Sequence, residues 1–303
     1  MIKKTLYFGH PAYLKKEQLQ LKVEYPKEEE KASRTVPIED IGIIILDHSR
    51  ITLTQGLLSA LIDNNAAVLS CDSRHMPEGL FMPMSANHMY TEKLRYQLDS
   101  SEPLRKNLWQ QTVKAKIENQ AAVLRYHGKV ADNMDYWALK VRSGDPDNYE
   151  GRAAANYWVK LIDGEEPFRR GRFEEAPNNL LNYGYAVLRA IVARSLVSSG
   201  MLPAVGIHHR NKYNAFCLAD DIMEPYRPIV DMLVLDICER YDDEEIEVLS
   251  TRVKQELLIL PTLDVVIDDT KSPLMVGMQR TTASLMQCYE GEKRKISYPV
   301  IVV

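Results

Sequence analysis

The spacing of apolar residues changes once along this chain, and that change limits the folds open to it. Up to about residue 84 apolar positions alternate with polar ones or run together; from Ser85 they recur every three and four. A period of two belongs to strands, and a period near 3.6 to helices that bury one stripe. The chain is therefore predicted to be α+β: a small N-terminal β-domain over 1–84, of strands with one short helix, then a larger all-α domain over 85–303.

In the first part, Thr5–Phe8, Leu14–Tyr25, Arg34–Pro37, Ile41–Leu46 and Ala66–Cys71 read as strands. Leu14–Tyr25 alternates Leu19, Leu21, Val23 and Tyr25 with polar residues, as a half-buried strand does. IGIIIL (Ile41–Leu46) reads as a fully buried one. Thr54–Asn64 is the short helix, with Thr54 as its cap. Asp72–Met84 is a turn-rich connection.

In the second part, helices are predicted over Asn87–Leu98, Ser101–Arg125, Val130–Val141, Tyr149–Ile162, Asn178–Ser199, Pro228–Tyr241, Glu244–Ile259 and Pro273–Tyr289. A charged, irregular stretch separates the fourth from the fifth, and Lys295–Val303 is a short strand or tail.

No uncharged apolar run reaches the roughly 18 residues needed to cross a bilayer. MIKKTLYFGH lacks the apolar centre of a signal peptide, so a cytoplasmic protein without a membrane partner is expected. Four scattered cysteines without a CxxC pair argue against a zinc ribbon or a disulfide framework. The net charge of −4 argues against a nonspecific polycationic coat on nucleic acid, but not against a local basic surface.

The chemistry concentrates in Met201–Pro228. Gly206 leads a loop with His208 and His209, and an acidic helical segment with Asp220, Asp221 and Glu224 follows. Carboxylate oxygens with an imidazole nitrogen suit Mg²⁺ or Mn²⁺. The spacing does not choose between the two histidines or among the three carboxylates. Each group alone also fits a bland role as a solvated helix face or a structural histidine. Upstream, Glu150 opens a helix whose Gly151 and alanines would let another helix come close. Arg227 lies within reach of the carboxylates. Arg210 and Lys212 flank the histidines, and Arg169, Arg170 and Arg172 form a second basic cluster; cations beside a metal site suit a phosphate-bearing substrate.

Three ordered segments carry a family resemblance. IGIIILDHSRITLTQGLLSALIDNNAAVLSCDSRHMPEG resembles the N-terminal β-domain of the CRISPR-associated integrase of the adaptation module, the "Cas-one" family. YEGRAAANYW resembles its first catalytic helix, and GIHHRNKYNAFCLADDIMEPYRPIVD its second catalytic segment. Within the family the chain is similar to the branch that accompanies single-protein RNA-guided effector nucleases, type II.

The resemblance implies a metal-dependent DNA endonuclease and integrase that inserts short double-stranded DNA into the CRISPR repeat. Its glutamate, histidine and acidic ligands fall on Glu150, His209 and Glu224, with His208 and Asp221 as supporting residues. It implies Mg²⁺ or Mn²⁺, a homodimer with residues 1–84 in dimerisation and DNA contact, and a small "Cas-two" partner completing a heterohexamer. The effector nuclease and a DNA-end-binding accessory protein are further expected partners. Arg210 and Lys212, and less directly Arg169, Arg170 and Arg172, are the expected DNA contacts. A plain metal-dependent nuclease, a non-catalytic DNA-binding scaffold and a helical metalloenzyme acting on small phosphate esters are the rival readings of the same residues.

Overall fold

The computed structural model describes residues 3–29, 31–162, 168–171 and 175–302. Strands β1 (Lys4–Phe8), β2 (Ala12–Glu17), β3 (Gln20–Glu24), β4 (Arg34–Pro37), β5 (Ile41–Leu46), β6 (Ile51–Leu53), β7 (Ala67–Cys71) and β8 (Pro77–Phe81), with helix α1 (Gln55–Asp63), form two four-stranded sheets. In the first, ordered β1-β5-β7-β8, only β8 runs antiparallel to its neighbour. The second is ordered β4-β3-β2-β6.

The IGIIIL run is the inner strand β5, and its two faces serve two cores. Ile41 and Ile44 join Leu14, Leu21, Val23, Leu57 and Leu61 in an N-terminal core. Ile43 and Ile45, with Ala67 and Leu69 of β7, belong to the core of the helical body. A strand covered on both sides has no solvent face to fill with polar residues, hence the unbroken apolar run.

After β8 the chain is largely helical: α2 (Tyr90–Leu98), α3 (Glu102–Tyr126), α4 (Asp132–Lys140), α5 (Tyr149–Leu161), α6 (Asn178–Ser198), α7 (Cys217–Met223), α8 (Arg227–Arg240), α9 (Asp243–Glu247), α10 (Thr251–Leu257) and α11 (Leu274–Glu290). Ser101 Oγ caps α3 by accepting from the Leu104 N–H at 3.3 Å. The α6 helix is buried along most of its length and packs against α7, α8 and α11. A ribbon, β9 (Asp264–Ile267) with β10 (Thr270–Pro273), interrupts the helices; its turn residues Asp268 and Asp269 both have positive φ.

Several predicted boundaries move. Leu14–Tyr25 is a hairpin, β2 and β3, turning at Gln18 (φ 56°) and Leu19, which is 80% exposed. Asp72–Met84 contains β8. Glu244–Ile259 is two helices, broken at Leu249 (φ 50°), with Ser250 capping the second. Thr54 precedes α1 but makes no side-chain cap bond. The C-terminal stretch is a tail with a single β-bridge, Val266 to Val300. It is tied to α3 by Asn119, which donates to Pro299 O at 2.9 Å and accepts from Ile301 N at 3.1 Å.

Candidate metal centre

Four elements bring the candidate side chains together. Glu150 lies in the first turn of α5. Asp145 holds that turn by accepting from the Tyr149 and Glu150 N–H groups, both at 2.9 Å, and Asn148 accepts from Gly151 N at 3.2 Å. With the free helical N–H groups satisfied from outside, the Glu150 carboxylate is free to turn sideways. A side chain on Gly151 would collide with the Asn148 cap rather than with a neighbouring helix; Ala153 is the fully buried residue of that face.

Glu224 lies where α7 gives way to a single 3-10 turn over Glu224–Tyr226 before α8 begins. Pro225 does not stop the chain, because it occupies the start of that turn, where its missing N–H costs nothing. Asn119 of α3 donates to Pro225 O at 2.8 Å and fixes the turn.

Glu150 and Glu224 converge on one cation, the Lys116 ammonium of α3. Glu150 Oε1 is ion-paired with it, and Glu224 Oε2 lies 2.6 Å away. Glu224 Oε1 meets Arg227 Nε at 3.0 Å. Glu224 Oε2 and Arg227 Nε are buried, each facing an opposite charge, and the Arg227 guanidinium also lies over the Tyr185 ring at 4.6 Å. Burial works against the Lys116 ammonium, but the Glu224 and Glu150 carboxylates outweigh it and raise its pKa. Burial likewise works against the Glu224 carboxylate, and Arg227 and Lys116 outweigh it and lower its pKa.

Asp221 faces the other way and organises the Gly206–His209 loop. Its Oδ2 accepts from Ile207 N at 2.7 Å and His208 N at 3.0 Å; its Oδ1 accepts from His209 N at 3.2 Å and lies 2.6 Å from His209 Nδ1. The loop approaches so closely that a Cβ on Gly206 would lie 2.4 Å from His209 O. The Asp221 bond raises the His209 pKa, against partial desolvation. With Nδ1 engaged, His209 keeps Nε2 without a hydrogen-bond partner among the described residues. His208 stacks on the buried Trp109 at 4.1 Å between centroids and 4° between planes, and burial lowers its pKa. Asp220 is spent elsewhere, on Arg189 at 2.7 Å and Asn214 at 2.7 Å. The three carboxylates that helical spacing places on one side thus reach three different partner sets.

Next to His209 opens a cavity of about 450 Å³, lined by Arg105, Arg210, Lys212 and Tyr289 among others. Arg210 is exposed and has no ion pair among the described residues; Lys212 lies over the Tyr213 ring at 4.9 Å. Arg169 is also exposed. The Arg170 guanidinium turns inward, bonded to Asn178 Oδ1 and to Asn182 Oδ1 at 2.9 Å, with the Tyr185 ring 5.2 Å away. Arg172 lies outside the described residues, as do 163–167, 173 and 174.

Lys116, Trp109 and Asn119 escape a reading of spacing alone. The available signal is their place on α3: Trp109, Val113, Lys116 and Gln120 follow one another at intervals of three and four, so a lysine stands inside a buried stripe.

Residues 6–248 match the family described as CRISPR associated protein Cas1. The chain belongs to the Cas1 family. A CRISPR-associated endonuclease Cas1 of Neisseria meningitidis serogroup C (strain 8013) is 45% identical over 210 residues, 69% of this chain and 68% of that one. Two solved structures share the Cas1 chain's fold. A casposase bound to integration product superposes with a TM-score of 0.78 at 20% identity, over 98% of this chain and 92% of that one. A Cas6-RT-Cas1–Cas2 complex does so with a TM-score of 0.72 at 18% identity, over 97% of this chain and 36% of that one. No helix among the described residues is long and apolar enough to cross a membrane.

Proposed function

We propose that this Cas1 chain is a divalent-metal-dependent integrase of CRISPR adaptation, in which a DNA 3′-hydroxyl attacks a phosphodiester of the repeat. The observation that carries the reading is the convergence of Glu150 and Glu224 on one buried cation beside His209. Among the described residues no three ligating side chains are already clustered tightly enough to hold a metal ion. The donor set nevertheless fits Mg²⁺ or Mn²⁺. Two carboxylates already share a cation, and among the described residues His209 Nε2 makes no hydrogen bond.

Glu150, Glu224 and His209 Nε2 would hold the ion. Bound there, a divalent cation makes a hydroxyl a better nucleophile and offsets charge developing on the phosphate. Asp221 keeps the His209 proton on Nδ1 and so presents the Nε2 lone pair. Arg227 holds Glu224 from the side away from Lys116. The Trp109–His208 stack steadies the loop. Arg210 and Lys212 face the adjoining cavity, where they would meet backbone phosphates. The partners proposed with this activity are double-stranded DNA, a second copy of the chain and a Cas2 protein. The Cas1 of the similar complex is solved with Cas2, and the similar casposase with integration product. The effector nuclease and an end-binding accessory protein would act before DNA reaches the site.

The deciding experiment mixes a supercoiled plasmid, a duplex with free 3′-hydroxyls, Mn²⁺ and Cas2. Joining of the duplex to the plasmid is expected, and its loss in Glu150→Ala, His209→Ala and Glu224→Ala with dimerisation intact. Nicking without joining would make the chain a plain nuclease; joining by any of the three variants would remove that residue from the ligand set.

A further inference from the structure

The Lys116 side chain is 8% exposed, comes from a helix that carries neither carboxylate, and reaches both. We infer that Lys116 is a built-in counter-cation that holds Glu150 and Glu224 together in the metal-free protein and is displaced from between them when a divalent cation binds. The inference rests on the reading of those two carboxylates as ligands.

Charge balance carries it. Glu150 and Glu224 come from α5 and the 3-10 turn, and without a cation between them they would repel each other across a partly dry gap. Among the described residues Arg227 pairs with Glu224 and lies over the Tyr185 ring at 4.6 Å, and Glu150 meets no cation but Lys116. Two carboxylates with Lys116 and Arg227 are neutral as they stand. A divalent cation added to the same gap would leave two uncompensated positive charges in a buried site, which is costly. With the ammonium withdrawn, the surplus falls to one positive charge, which one phosphodiester neutralises. Lys116 is thus a positioning residue. It keeps the ligands converged before loading, and it makes the ion compete for them.

The test is Mn²⁺ binding to the full chain by titration calorimetry, with thermal denaturation alongside. Lys116→Met should bind Mn²⁺ about tenfold or more tightly than wild type, because a nearby like charge is gone. Its metal-free form should melt lower, and Mn²⁺ should raise its midpoint by more than it raises the wild type's. A lower midpoint with unchanged Mn²⁺ affinity would make Lys116 merely structural and overturn the inference. If Lys116→Met is not recovered folded, amine acylation of the wild type followed by peptide mass spectrometry decides. Labelling at Lys116 should rise several-fold at saturating Mn²⁺; unchanged labelling overturns the inference. Failure of the ligand reading looks different: wild type would bind no Mn²⁺, or Glu150→Gln and Glu224→Gln would bind it as wild type does.

Discussion

Asp221 Oδ1 lies 2.6 Å from His209 Nδ1, and the same fully buried carboxylate accepts from three successive backbone N–H groups, those of Ile207, His208 and His209. One side chain therefore sets both the loop and the imbalance between the two imidazole nitrogens. Asp221→Asn has one acceptor oxygen for four donors and turns an amide toward N–H groups. Leaving such donors unsatisfied costs about 1–3 kcal/mol of stability. Loss of the histidine's orienting partner is expected to lower Mn²⁺ affinity and strand joining about 10- to 100-fold. Calorimetry and the plasmid assay check this; wild-type joining by Asp221→Asn would mean that His209 is oriented by something else.

The N-terminal sheets are fastened to the helical body by a second buried charge pair, far from the first in sequence. Lys254 Nζ of α10 lies 2.7 Å from Asp47 Oδ2, which also accepts from Tyr7 Oη at 2.6 Å, while His75 Nδ1 lies 2.8 Å from Asp47 Oδ1. Both charged side chains are at most 5% exposed. Lys254→Met leaves the Asp47 charge buried without its cation and should cost about 3–5 kcal/mol. Lys254→Met with Asp47→Asn should recover most of it, since the residual charge is gone. Denaturant midpoints of the two variants measure the difference, and equal losses in both would deny the pairing any weight.

Sequence patterning exposed whatever depends on one element at a time. β5 showed because a strand buried on both faces must be apolar throughout, and α3 showed by its Ser101 cap and stripe. The β2–β3 turn hid because Gln18 and Leu19 carry no glycine, asparagine or aspartate, and alternation runs straight across a two-residue turn. Lys116 hid for another reason. A lysine on a helix is ordinarily solvated, and only the meeting of α3 with α5 and the Glu224 turn makes its charge necessary. No spacing links Glu150 to Glu224; the family resemblance supplied that pairing.

Asp231 gives a pH dependence whose sign can be stated. Burial pushes its carboxyl up to about 6 from an ordinary 3.8, against hydrogen bonds from Tyr185 and Tyr157. The folded state thus holds this proton more tightly than the unfolded chain. The contribution to stability is fully present below 3.8 and is lost as pH rises through about 6. Across that window it amounts to about 3 kcal/mol. Asp231→Asn keeps hydrogen-bonding groups for both tyrosines and does not titrate. The stability of wild type relative to Asp231→Asn, from denaturant midpoints, should fall as pH rises from about 4 to about 6; a constant difference would show that the proton is not held there.

The basic residues divide by geometry into those that face the cavity and one that braces the fold. Arg210 is exposed with no ion pair among the described residues, and Lys212 is exposed beside it, both lining the cavity next to His209. A cation that meets a DNA phosphate releases condensed counterions, so removing it lowers affinity for all sequences alike. Arg210→Ala and Lys212→Ala should each reduce the slope of log affinity against log salt by about 1. Arg170 should behave differently: its guanidinium is engaged by Asn178 and Asn182 and lies near the Tyr185 ring. Arg170→Ala should lower the denaturation midpoint and leave the salt slope unchanged. Duplex binding measured across a salt series separates the two classes. A changed slope in Arg170→Ala, or an unchanged one in both Arg210→Ala and Lys212→Ala, would reverse the assignment.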